Sequence, residues 1–235
     1  MRSTLFRAVA IGLLAAGAFA SPATAQGTQS AVLTGLEVRQ LIARGEPADH
    51  TRLRGHFLAL ADRYEADAKR HNAMARTFIA SPSVRVRAQS SADHCKRLER
   101  LANESATTVR ELAAHHGRLA AGTPSTAPSN SDRFEAGEGA RTMWAHEKEM
   151  HDLAANARTA ADHRAIEEYF ESIEKEYNAA VNEHSSMAQA YRAAPNRRGG
   201  DPAVQCDRLV RLSREAAKEA GEAAREHKHA AEAAK

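Results

Sequence analysis

Aromatic residues make up only 5% of this chain, with a single tryptophan, and cysteine occurs just twice. So few aromatic fillers disfavour a large β-rich or α/β core. No Cys-x-x-Cys-His haem attachment sequence, glycine-rich phosphate loop or nucleophile elbow occurs. The one long apolar run, Ala8 to Ala20, is too short to span a bilayer. What the chain has instead is abundant Ala, Glu, Lys and Arg, the composition of long helices.

That apolar run follows Arg2 and Arg7 and ends in Ala23-Thr24-Ala25 before Gln26. This is the pattern of a signal peptide, with cleavage expected after Ala25 and a periodic or stop-transfer continuation absent. No cysteine stands near the cleavage point to carry a lipid anchor. The expected location is periplasmic or secreted. Losing Arg2 and Arg7 takes the formal charge from +3 to +1, so no electrostatic case for nucleic acid remains, and no membrane span is expected.

The mature region repeats itself. Residues 48–82 align without gaps on 161–195, matching Phe57 with Phe170, Tyr64 with Tyr177, His71 with His184 and Met74 with Met187, and 11 of 35 positions are identical. Residues 90–119 align on 201–230, matching Cys95 with Cys206, Leu98 with Leu209 and His116 with His227, with 11 of 30 identical. The offset changes only in the connectors after Pro82 and Pro195. A duplicated helix-turn-helix unit explains the pattern. Within it His50, Phe57, Tyr64, His71 and Phe78 share one heptad position, as do His163, Phe170, Tyr177, His184 and Tyr191 in the copy, which makes an inward stripe. Leu53, Leu60, Asp67 and Met74 share the inward position three residues later, where the copy has Ala180 in place of Asp67.

Boundary signals complete the reading. Thr34 with Glu37 makes a capping-box pattern before a short helix that Gly45 and Pro47 end. Ser90 and Asp201 are the expected N-caps of the second helices, with Pro202 at the first helical position. The chain divides into a signal peptide (1–25), an N-terminal segment with a short helix (26–47), a first hairpin (48–121), a flexible linker (122–139), a helical extension (140–160) and a second hairpin (161–235). The extension either runs straight into the second hairpin or joins it at Thr159. The fold class is all-α: tandem duplicated hairpins forming a four-helix bundle or an elongated coiled-coil-like bundle.

Histidine is the compositional anomaly, with 12 residues, all in the mature region. The four mature methionines lie within three positions of a histidine, as in His71 with Met74 and His184 with Met187. Imidazole and thioether together suit copper, nickel or zinc. In a hairpin turning over residues 82–90, residues whose numbers sum to about 170 stand level, from the constant helical rise. Met74 then faces Cys95. If the hairpins stack up-down-up-down, His50, His116, His163 and His227 converge at one pole, and His71, Met74, Cys95, His184, Met187 and Cys206 at the other. These ten residues are the candidate metal ligands. For Cys95 and Cys206 the alternative is a disulfide, favoured by an oxidising compartment and opposed by their diagonal placement in a square bundle. Each histidine and methionine also has a packing role open to it. His56, His115 and His229 fall off the stripe or at the chain end, where solvated surface positions are expected.

Enzyme signatures fail on spacing. His146 and His151 stand five apart, on different helix faces, and the one Glu-x-x-His, Glu226 to His229, cannot make a di-iron site alone. The function expected is therefore a non-enzymatic exported bundle that binds or buffers a transition metal such as copper through inward His, Met and Cys. The alternative is a structural or protein-interaction module of the cell envelope with no metal, self-associating through its helices, with Ala140 to Thr159 as the expected contact.

Overall fold

The computed structural model describes residues 32–81, 85–121, 148–194 and 202–234, without the side chains of 85–89. The expected signal peptide, the linker 122–139 and the first part of the extension lie outside the described residues. Every element among the described residues is an α-helix: α1 Gly35–Arg44, α2 Pro47–Ala80, α3 Arg85–Ala120, α4 over residues 148–156, α5 Ala160–Ala193 and α6 Pro202–Ala233.

Local chemistry sets the helix ends. At the start of α1 the Thr34 hydroxyl accepts from the Glu37 amide at 3.3 Å, and the Glu37 carboxylate accepts from the Thr34 amide at 2.9 Å. Gly45 closes α1 at φ 65°, a left-handed position that glycine takes without a Cβ penalty. Thr159 separates α4 from α5. Its hydroxyl accepts from the Asp162 amide at 3.1 Å, and the Asp162 carboxylate accepts from the amides of Thr159 at 2.9 Å and Arg158 at 3.0 Å. Two helices therefore meet there rather than one running through. α6 begins at Pro202 as expected, but α3 begins at Arg85 and Ser90 lies inside it. No breaker stands between 85 and 90, so the helix extends beyond the aligned block, and the Ser90 hydroxyl donates to Glu226 at 2.6 Å instead of capping.

The stripe read from the sequence is the buried face of α2: Leu53, Phe57, Leu60, Tyr64, His71, Met74 and Phe78. Ile166, Phe170, Ile173, Tyr177, His184, Met187 and Tyr191 form that of α5. Phe57 and Phe170 are wholly buried, each contributing about 2–3 kcal/mol of apolar transfer free energy. Helix α2 pairs along its length with α3, and α5 with α6. The register of the first hairpin follows its cross-helix contacts, His50 with His116 and Asn72 with Glu99, which put Met74 level with Cys95.

The two hairpins meet head to tail. His116, near the end of α3, bonds Tyr191, near the end of α5, while His227, near the end of α6, bonds Ser91, near the start of α3. Helices α3 and α6 are thus antiparallel neighbours, and the order is up-down-down-up rather than up-down-up-down. Their seam is close because buried residues on the facing sides are small, Ser91, Ser105, Ala216 and Ala223 among them. Helices α2 and α5 meet only through long side chains, such as Arg63 with Glu176 at 3.7 Å. The short helices lie along this wider side. Helix α1 packs Val38, Leu41 and Ile42 against α5 and α2. Helix α4 docks at the other end of α2, where Thr77 bonds His151 at 2.8 Å and the Ser81 hydroxyl donates to the Ala155 carbonyl at 2.7 Å. The apolar side of α4, Met150, Leu153 and Ala154, packs against the core of the chain.

Candidate functional site

Four of the candidate ligands form two pairs, one at each end of the bundle. His50 Nδ1 stands 3.1 Å from His116 Nδ1, and His163 Nδ1 stands 3.2 Å from His227 Nδ1. Within each pair one ring is deep and the other half-buried: His116 and His227 are buried, His50 and His163 intermediate. The deep ring is fixed by its other nitrogen. His116 Nε2 is 2.7 Å from the Tyr191 hydroxyl, and His227 Nε2 is 3.1 Å from the Ser91 hydroxyl. Phe57 stacks on His116 and Phe170 on His227, with interplanar angles of 9° and 21°.

No family model, curated protein or solved structure matches this chain. The chemistry of the pairs must be read from their geometry.

Nitrogens bound to one tetrahedral zinc at 2.0–2.1 Å stand about 3.3 Å apart, close to the spacing in both pairs. A deep imidazole whose Nε2–H is held by a hydroxyl presents its Nδ1 lone pair to the shared point, as ligating histidines do. The same spacing accommodates one N–H···N hydrogen bond. Burial pushes His116 down to about 3, with the neighbouring His115, His50 and His56 adding to the effect, and burial also lowers His50. Both rings are therefore neutral near pH 7, the form that binds metal.

The expectation of one four-histidine pole is corrected. Head-to-tail stacking sends His50 with His116 to one end and His163 with His227 to the other. The second expected cluster is also divided. The α3/α6 contacts place Cys95 opposite Gly221, fifteen residues beyond Cys206, an axial separation of roughly 22 Å. Both cysteines are buried and no disulfide joins them, so the disulfide alternative fails for the same reason: its Cα atoms must come within about 7 Å. Met74 and Met187 lie in the apolar core. His71 and His184 fall two turns apart along the α2/α5 interface. His184 Nε2 is 2.8 Å from the Tyr64 hydroxyl, while His71 Nδ1 has no hydrogen-bond partner. Burial lowers them to about 4 and about 3.

Other expectations change at the surface. His56 and His115 are buried rather than solvated, and His56 Nδ1 accepts from the Leu33 amide at 3.1 Å, which ties the entry of α1 to α2. His229 is exposed as expected. Asp67 is held by an ion pair with Arg70 one turn on; burial raises its carboxyl and Arg70 opposes the rise. Sequence reasoning missed His94 and its carboxylate partners on α6. The signal available was the spacing of Glu219, Glu222 and Glu226, acidic residues on one face of an alanine-rich helix.

Proposed function

We propose that this chain is an exported, non-enzymatic helical bundle that binds or buffers a transition metal through two histidine pairs, His50 with His116 and His163 with His227. The observation that carries the reading is the Nδ1 to Nδ1 spacing, 3.1 and 3.2 Å, repeated at two places with the deep ring anchored each time. Two imidazoles and open positions for water suit a borderline divalent ion, copper(II), nickel or zinc. Export rests on the leader expected over residues 1–25.

A tandem duplication of one helical hairpin accounts for the pairing. It is supported by the two histidine pairs and by Asp49 and Asp162, aligned residues that each accept from an amide at the start of the long helix.

A structural or interaction module without metal is the competing reading, favoured by the fact that one N–H···N bond also satisfies each pair. Equilibrium dialysis of the full chain, purified without an affinity tag, against copper(II), nickel or zinc separates the two. The His50→Ala, His163→Ala double variant should lose two equivalents of metal. Equal binding in the double variant removes the pairs as sites, and stable self-association without retained metal supports the module.

A further inference from the structure

The α3/α6 seam carries a polar cluster that the histidine pairs do not use. His94 is 4% exposed and Glu219 9%. His94 Nδ1 is in contact with Glu219 Oε1, and its Nε2 is 3.2 Å from Glu226 Oε1. That same Glu226 oxygen accepts from the Ser90 hydroxyl at 2.6 Å. Glu222 adds a further carboxylate, and the ligand atoms of His94, Glu219 and Glu222 all lie within 4.8 Å of one another. Arg97 fills the remaining side. Its Nε donates to Glu219 Oε1 at 2.5 Å, and its Nη2 stands 3.0 Å from His94 Nδ1.

An imidazole lone pair and a carboxylate oxygen repel unless a positive group lies between or beside them. Here that group is the Arg97 guanidinium. Because the Glu219 and Glu226 carboxylates can only accept, their contacts call for a proton or a metal cation at Nδ1 and an N–H at Nε2. One imidazole nitrogen facing a cation, the other donating to a carboxylate that is itself hydrogen-bonded, is the arrangement around a metal-ligating histidine.

Helix pairing does not require the cluster. At the positions aligned with His94 and Glu219 the other half has Gln205 and Thr108, and the Thr108 hydroxyl bonds only its own helix, to the Glu104 carbonyl at 2.8 Å. The Arg97 side chain is 44% exposed, so its long stem can swing into water without opening the core.

We propose that His94, Glu219 and Glu222 form a binding site for a borderline divalent cation such as zinc, with Glu226 orienting the imidazole and Arg97 a tethered cation that the metal displaces. One nitrogen and two carboxylate donors suit zinc, cobalt or nickel better than a soft ion. The site is independent of the histidine pairs and stands or falls apart from them.

The test uses the full chain carrying His50→Ala and His163→Ala, so that the pairs are silent, titrated with zinc by calorimetry. One equivalent should still bind. Glu222→Gln, a change at a half-buried residue on the rim, should weaken that equivalent at least tenfold with helix content by circular dichroism unchanged. Arg97→Ala should tighten it at least threefold, because the competing cation is gone. No residual zinc equivalent, equal affinity in Glu222→Gln, or weaker binding in Arg97→Ala each overturns the proposal. A loss of thermal stability in Arg97→Ala without any tightening does the same, since the cluster is then only a clamp between helices.

Discussion

Tyr191 on α5 holds His116 on α3 through a contact of 2.7 Å between its hydroxyl and Nε2. This bond crosses from one hairpin to the other, acts with Ser91 on His227 to set their head-to-tail stacking, and aims the opposite nitrogen of His116 at His50. Removing the hydroxyl leaves the buried Nε2 of His116 unpaired. Tyr191→Phe should therefore cost about 1–3 kcal/mol in urea denaturation. It should also weaken metal binding at the His50 and His116 pair roughly tenfold or more, since the ring is no longer held. A variant with unchanged affinity at that end would show that the ring orientation does not depend on Tyr191.

Acid should unfold this protein early. His56 and His184 are lowered to about 4 and His71 and His116 to about 3, with burial the first cause in each. Their unfolded values are near 6.5, so between roughly pH 6.5 and these folded values the unfolded chain binds more protons. The sign follows: stability is fully present above about pH 7 and falls as pH drops, by up to about 1.4 kcal/mol per pH unit for each histidine. Urea midpoints at pH 7.5 and pH 5 should differ clearly. Equal midpoints would mean the imidazoles are not buried as described.

The thiols give a direct check on the packing. Burial pushes the Cys95 thiol up, and both cysteines are enclosed with no disulfide between them. In non-reducing buffer a thiol reagent should label neither in the folded protein and both after denaturation. Zero thiols after denaturation would indicate a disulfide and overturn the separation of the two residues.

Packing at the seam makes a fourth case. Ala223 is wholly buried, and it lies four residues from Glu219 and three from Glu226, on the side of α6 toward α3. Ala223→Leu should cost about 1–3 kcal/mol through overpacking. Phe170→Ala should cost about 3–5 kcal/mol by leaving a cavity. Val204→Ala, at a residue 57% exposed, should change thermal stability little.

Much of the helical layout was legible in the sequence because it depends on local terms. The capping pair Thr34 and Glu37, Gly45 after α1, Pro202 opening α6 and the heptad of Phe57, Tyr64, His71 and Phe78 act within a few residues. The level pairing of His50 with His116 followed from the helical rise and one short turn. The grouping of sites across hairpins was not legible. Residues 122–147, at about 3.3 Å each when extended, can reach either end of a bundle whose helices are roughly 50 Å long. Both stackings were therefore open to the chain.

The sequence by itself determined the helices, their inward faces and which histidines pair within a hairpin, since periodicity and rise are properties of one chain segment. Tertiary structure alone decided that the hairpins run head to tail. The reason lies in side-chain volume and bonding between segments distant in sequence. Small residues draw α3 and α6 together, bulky ones hold α2 and α5 apart, and Tyr191 on His116 with Ser91 on His227 sets the direction. That choice split the expected four-histidine pole into two pairs, separated Cys95 from Cys206, and brought His94 on α3 against Glu219 on α6.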